Sequence, residues 1–397
     1  MGVMATPKNG HALVFGASGV NGWGFVNALA SDYPNPKAFD HITAFTNRPL
    51  DPEISQWPVT DKLHLVSGLD LIHSTQETLE QQLIDRVSHL KAVTVVYFCA
   101  YAMDPKPEKE TELNIDMLNK TVLAIEKLCP SFRFLVLPTG IKAYGVHLFE
   151  QFPFKDNVPL KETHPEIPEP YRSQLFYTYQ HKLLRGLCKG KNWTYCDVRP
   201  DVIIGFVPNN NAYNIAQWIA LYLSLYRKIH GEGAEVVFPG TKSWTIQSND
   251  SSQDIIARFA IHASLHPEIS AGQSFNIADE AQSTSWSVKW PIMCQYFGLK
   301  GVAPINGPGP DPTAFLHEHQ DEWLAMEKEY NLQTGHLLGN NISIPDAPSF
   351  LMSLFEFDRP LDLTKAHQAW GDAKEERDVR EVWYTAFDRF RKARIIP

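Results

Sequence analysis

Cysteine is scarce in this chain: five residues in 397 (Cys99, Cys129, Cys188, Cys196 and Cys294), odd in number and scattered. None falls in a C-x-x-C pair, so neither a disulfide framework nor a zinc site is indicated. The simple reading is reduced thiols in a cytoplasmic protein. Positive charge is also short, with 36 Lys and Arg against 45 Asp and Glu and a formal net charge of −9. Binding to a phosphate backbone needs a basic face, so neither nucleic acid nor an anionic membrane is an expected partner. The first ten residues lack the apolar stretch of a signal peptide, and no run reaches the length of a membrane span. Internal repeats and low-complexity tracts are missing too. His317-Glu318-His319 is not read as a metal motif, because side chains at i and i+2 diverge on a helix and no zinc partner set accompanies them.

What is present is an alternation of strand and helix signals. His11–Phe15 is a short apolar run that enters Gly16, and Trp23–Ala30 then reads as a helix. His41–Phe45 and Leu63–Val66 read as strands, Thr75–Leu90 as a helix, and Val93–Ala100 as a dense β-branched and aromatic central strand. A helix over Leu113–Leu128 and a strand over Phe132–Leu137 follow. This alternation predicts a doubly wound, Rossmann-like α/β fold built on a parallel sheet. After residue 205 the pattern changes to helices over Ile215–Ile229 and Asp254–Leu265, with a short strand at Val236–Phe238. Beyond the Pro/Gly-rich stretch Pro304–Pro312, Thr313–Tyr330 and Val379–Ala393 read as surface helices. The expected division is a dinucleotide-binding domain over residues 1–205 and a smaller C-terminal α/β substrate-binding region with a lid over 206–397.

Three segments carry chemistry. Gly16-Ala17-Ser18-Gly19-Val20-Asn21-Gly22 lies between a strand and a helix, the context in which such a turn cradles a pyrophosphate at a helix N-terminus. The second strand ends at Thr46-Asn47-Arg48, where NAD-specific sites place an acidic residue for the ribose hydroxyls. A guanidinium there holds a 2′-phosphate through charge-assisted hydrogen bonds, so Asn47 and Arg48 point to NADPH. Asp70, after the third strand, is placed either to accept from the adenine amino group or to cap the helix that follows. Thr139-Gly140-Ile141-Lys142-Ala143-Tyr144-Gly145 follows the strand Phe132–Leu137, and Tyr177 follows Phe176. A tyrosine hydroxyl and a lysine ammonium suit reduction, because hydride arriving at a carbonyl system drives negative charge onto oxygen. The superfamily spacing Y-x-x-x-K is absent: Tyr177 meets His181 at that interval, and a packed aromatic remains the alternative for this tyrosine. Val198–Gly205, with its Arg199-Pro200 step, reads as a strand whose end approaches the nicotinamide or as a purely structural one.

The Gly16–Gly22 turn, Thr46-Asn47-Arg48, T-G-x-K-x-Y-G at Thr139–Gly145, F-Y-T at Phe176–Thr178 and Arg199-Pro200 together resemble the progesterone 5β-reductase/iridoid synthase-like enzymes. These form an atypical branch of the extended short-chain dehydrogenases/reductases. Phe238-Pro239-Gly240, Phe275-Asn276 and the closing Ile395-Ile396-Pro397 extend the likeness over nearly the whole chain. Ile141 and Ala143 beside the lysine, Thr178 after the tyrosine and His181-Lys182 in place of an acidic pair depart from the plant pattern. They resemble the divergent fungal members, many of them tailoring enzymes of secondary metabolism.

The resemblance implies NADPH-dependent reduction of activated C=C bonds in enones and enals, with Lys142 and Tyr177 as the catalytic pair. The cofactor contacts expected are Gly16, Ser18, Gly19, Val20, Asn21, Gly22, Thr46, Asn47, Arg48, Asp70, Leu71, Cys99, Ala100, Thr139, Gly140, Lys142, Tyr177, Pro200 and Val202. A hydrophobic small-molecule substrate is expected against Tyr101, Phe149, Phe206, Tyr213, Trp244 and Phe350. Reduction of a ketone, aldehyde or imine by the same site, and a non-redox cyclase or isomerase on the same scaffold, are the alternatives. Extended short-chain reductases are usually homodimers, which makes a homodimer the expected assembly.

Overall fold

A computed structural model of the chain describes residues 10–211, 214–307, 309–337 and 352–397. The strands are β1 (Gly10–Phe15), β2 (Phe39–Thr46), β3 (Leu63–Ser67), β4 (Val93–Phe98), β5 (Phe134–Pro138), β6 (Thr194–Pro200), β7 (Ile203–Ile204), β8 (Glu235–Val237), β9 (Ser251–Ser252), β10 (Ser274–Ile277) and β11 (Lys300–Val302). Seven of them form one sheet in the order β10-β6-β5-β4-β1-β2-β3. Every pairing in it is parallel. The chain winds one way from β1 to β3 and the other way from β4 onward, so the topological switch lies between β1 and β4. Ligands bind at the carboxyl ends of strands at such a point.

The sheet is buried on both faces, and the strand period of two divides its side chains between two cores. Ala12 and Val14 of β1 and Phe134 and Val136 of β5 face one core. Leu13 and Phe15 of β1 and Leu135 and Leu137 of β5 face the other. Helices Gln76–Arg86, Pro107–Leu128 and Phe176–Cys188 cover the second face with Leu79, Leu83, Leu118, Val122 and Leu184. Helices Val20–Ala30 and Gln253–Leu265 cover the first face.

The second half of the chain returns to the first. Strand β10 and helix Gln253–Leu265 both come from beyond residue 205, so that position divides the sequence and not the sheet. Helix Val379–Lys392 is read from sequence as a surface helix, yet it buries Val382, Trp383, Ala386, Phe387 and Phe390. Those positions recur at helical spacing, and the opposite side is charged. The helix read over Thr313–Tyr330 is two helices, Pro312–Glu318 and Gln320–Glu329, meeting at His319. Strands β8 and β11 pair in one small sheet, and β7 and β9 in another.

Candidate active site

A cleft of about 720 Å³ opens at the carboxyl ends of the strands, across the switch between β1 and β4. That is room for a dinucleotide end and a small substrate. Its first wall is the glycine turn. Gly16 N and Ala17 N donate to Phe45 O at 3.1 and 2.9 Å, and Gly19 N donates to Gly16 O at 3.0 Å. Those amides are used within the protein, so an incoming anion meets the helix that starts at Val20. The helix has no side-chain cap and no acidic residue in its first turn. Its first amides have no intrahelical acceptor, and its dipole favours negative charge. Gly16 holds φ +79°, and a Cβ there would stand 2.7 Å from the backbone of Cys99 and Ala100. A Cβ at Gly22 would stand 2.1 Å from Gly16 O, so this glycine serves the packing of helix on turn. Gly22 itself does not line the cleft, whereas Gly16, Ser18, Gly19, Val20 and Asn21 do.

The second wall follows β2 and β3. The buried Thr46 hydroxyl bridges Arg48 O at 2.7 Å and Ser67 Oγ at 3.1 Å. This folds the turn so that Asn47 and Arg48 stand exposed at the cleft rim with Thr46. Asp70 lies outside the lining. Its Oδ1 accepts from Ile72 N and His73 N at 2.9 and 3.1 Å, and its Oδ2 faces His73 Nδ1 at 2.8 Å. The carboxylate caps the local turn, and its neighbours Leu69, Leu71 and Ile72 line the cleft. Cys99 and Ala100 follow β4 at the cleft. Burial pushes the Cys99 thiol far above its ordinary range, so it is no nucleophile.

The third wall carries the reactive side chains. Thr139 and Gly140 leave β5, and Lys142 sits in the short 3-10 turn Ile141–Tyr144. Tyr177 is the second residue of helix Phe176–Cys188. A methyl at Gly140 would lie 3.5 Å from the Tyr177 hydroxyl oxygen and 3.5 Å from Pro200 O. The ends of β5, β6 and that helix thus converge on one spot. Thr139, Gly140, Lys142, Tyr177, Pro200 and Val202 all line the cleft there. The Tyr177 ring stands edge-on to Phe176 at 4.6 Å, and Phe176 stacks on Tyr101 at 5.6 Å.

Of the expected pocket aromatics, Tyr101 and Phe149 line the cleft. Phe206 does not: it is fully buried beneath the glycine-turn helix, with its ring 5.2 Å from both Trp23 and Phe390. Trp244 packs on Phe238 at 5.1 Å and lies outside the lining as well. Tyr213 and Phe350 lie outside the described residues. The lining also includes residues that sequence reasoning missed, among them His147, Gln180, Asn210 and Phe355. Gln180 is three residues from Tyr177 on one helix face, a spacing that was available as a signal. Phe355 arrives from a distant segment and gave no signal. The His147 ring is half-buried and its Nδ1 has no hydrogen-bond partner. Burial, with the Lys142 charge adding to it, holds this histidine at a pKa of about 4, so it is neutral at neutral pH.

A parallel switch-point fold with a glycine turn, a tyrosine and a lysine around one cleft defines an oxidoreductase of the short-chain dehydrogenase type. The chain belongs to the PRISE-like Rossmann-fold domain family, whose model matches residues 12–397. It is 33% identical to the short chain dehydrogenase sirQ of Leptosphaeria maculans, covering 97% of each chain. It is 34% identical to the short chain dehydrogenase ausT of Aspergillus calidoustus, over 99% of this chain and 96% of that one. A plant relative, the (S)-8-oxocitronellyl enol synthase ISY2 of Nepeta racemosa, is 26% identical over 54% of this chain and 52% of its own. Among solved structures, a UDP-glucuronic acid 4-epimerase from Bacillus cereus in complex with NAD superposes with a TM-score of 0.57. It is 12% identical and covers 96% of this chain and 99% of that one, a likeness of fold. No helix among the described residues is long and apolar enough to cross a membrane.

Proposed function

We propose that the chain is an NADPH-dependent reductase that adds hydride to the β-carbon of an α,β-unsaturated carbonyl compound. The observation that carries this reading is the convergence of Tyr177 and Lys142 on the carboxyl ends of β5 and β6, in the same cleft as the uncapped helix N-terminus. The residues suit a dinucleotide: the amides after Gly19 would take the pyrophosphate, and Asn47 and Arg48 at the rim would take a 2′-phosphate. A bound dinucleotide would supply the hydride. As it arrives, the C=C electron pair moves toward the carbonyl and charge gathers on oxygen. The Tyr177 hydroxyl donates a hydrogen bond to that oxygen, and the Lys142 ammonium lowers the energy of the charge. The oxygen is left as an enol or enolate, and a proton added at the α-carbon completes the saturated carbonyl. The printed name of the plant relative, an enol synthase, is consistent with such a product.

The reading is tested with purified protein, NADPH or NADH, and a panel of enals, enones, ketones and imines. Nicotinamide oxidation is followed optically and products are identified by mass spectrometry. Saturated-carbonyl products with NADPH preferred are expected. Alcohol or amine products would reassign the same residues to 1,2-reduction. Isomerised or cyclised product without net NADPH consumption would overturn the redox reading.

A further inference from the structure

In the superfamily arrangement the lysine follows the tyrosine by four residues on one helix, so their separation is set by helix geometry. Here Lys142 comes from the loop after β5 and Tyr177 from a helix, and no such spacing joins them. One buried carboxylate touches both segments. Asp197, in β6, is 1% exposed. Its Oδ2 accepts from Thr139 Oγ1 at 3.1 Å, three residues before Lys142. The same oxygen faces His181 Nε2 at 3.6 Å, four residues after Tyr177 and at the interval where the superfamily lysine would stand. Arg199 Nε donates to it at 2.8 Å, and Ser274 donates to Oδ1 from β10. Arg199 also reaches back to the Lys142 turn: its guanidinium lies 5.5 Å from the Tyr144 ring centre, with Nη1 at 3.5 Å from the Tyr144 hydroxyl. Burial works to raise the Asp197 carboxyl, but the neighbouring Arg199 and His181 outweigh it and hold the group well below the usual carboxylate range.

We propose that Asp197 is the positioning residue of the catalytic pair. Through Thr139 and through Arg199–Tyr144 it fixes the loop bearing Lys142, and through His181 it fixes the helix bearing Tyr177. This rests on the reading of Tyr177 and Lys142 as the reacting pair. The side chain at 181 then does for the second segment, by an ion-pair contact with a shared carboxylate, what direct helical spacing does elsewhere. The idea also accounts for a histidine at that interval, since it presents a donor to Asp197 and leaves the ammonium to Lys142.

The test uses the full chain with His181→Ala and His181→Lys, and cyclohex-2-enone and hex-2-enal as probes. Turnover, NADPH titration and melting are read together. A catalytic group displaced by about 1 Å costs up to roughly a hundredfold in rate. His181→Ala is therefore expected to bind NADPH within about twofold of wild type while kcat falls about tenfold or more. His181→Lys, whose ammonium reaches the same carboxylate, is expected to recover most of that loss. An unchanged kcat in His181→Ala overturns the proposal, and so does a His181→Lys variant as slow as the alanine one. A second arm needs no substrate: melting of Thr139→Val, His181→Ala and the double variant. Shifts that fail to add show that the two segments are coupled through Asp197, and additive shifts overturn that coupling. If wild type consumes no NADPH with either probe, the reductase reading loses its support, and the link is decided by the melting cycle alone.

Discussion

Gly19 and Gly22 let packing and ligand approach be told apart at single residues. A Cβ at Gly22 would overlap Gly16 O at 2.1 Å, backbone against backbone. Gly22→Ala is expected to lower the melting temperature and to weaken cofactor binding together, because the turn must shift. At Gly19 the nearest atom to an added Cβ is Gly16 O at 3.4 Å, an ordinary contact, and φ is −81°. Gly19→Ala should melt like wild type and yet bind NADPH more weakly, since the added methyl occupies the approach to the helix N-terminus. Loss of melting without loss of binding would reverse this assignment. Tyr177→Phe removes one hydrogen-bond donor to the developing oxyanion, which costs about 2.7–4 kcal/mol, or on the order of a hundredfold or more in kcat, in a protein that folds normally. Wild-type turnover in that variant would remove Tyr177 from the mechanism. Arg48→Glu places a carboxylate at the exposed rim of the cleft. It should raise KM for NADPH while leaving KM for NADH nearly unchanged, and equal effects on both would detach Arg48 from the 2′-phosphate.

Among the elements, the segment 352–361 is held by a buried ion pair. Arg359 Nε donates to Asp201 Oδ2 at 3.0 Å and to Oδ1 at 3.3 Å, and both side chains are almost fully buried. The guanidinium also covers the Phe355 ring at 4.3 Å, and Phe355 lines the cleft. Removing one partner leaves a buried charge without compensation, so Arg359→Leu is expected to cost about 3–5 kcal/mol of stability. Urea unfolding measures this, and a loss under about 1 kcal/mol would mean that water or another cation replaces the arginine. None of this was legible in the sequence. Asp201 and Arg359 are 158 residues apart, and neither local pattern nor spacing joins them. The glycine turn, the strands and the loop bearing Lys142 were legible because each is a local signal: an apolar run, a turn residue, a motif at a strand end. Phe206 was misplaced because an aromatic residue after a strand looks the same whether it faces a pocket or the core. Asp70 reads from sequence as an adenine contact or as the cap of the following helix, but that cap is Thr75, and Asp70 holds the turn amides of Ile72 and His73 instead.

Across the whole molecule, three histidines in separate regions are held at a pKa of about 4, each chiefly by burial. His11 lies in β1 against Thr43, with the charges of His41, His89 and His64 adding to the effect. His147 lies in the cleft beside Lys142. His336 is bonded to Asn210 at 2.8 Å in the C-terminal half. An unfolded chain protonates these side chains near pH 6.5, and the folded chain resists until about pH 4. The native state therefore binds fewer protons within that window, and stability rises with pH across it. The stabilisation is complete above pH 6.5 and is lost progressively as pH falls to about 4, below which these three groups contribute no further loss. Asp279, whose carboxyl is raised by burial, works in the opposite sense and partly offsets the slope. The expected result is a melting temperature that falls steeply between pH 6.5 and 4. His11→Gln, His147→Gln and His336→Gln should each flatten part of that slope relative to their own values at pH 7.5. Since the three sites lie in the sheet, in the cleft and in the C-terminal half, acid should loosen all three regions in one cooperative transition. Separate transitions for the two halves would instead show that the core they share does not couple them. A slope unchanged in all three variants would place the acid sensitivity in the carboxylate pairs.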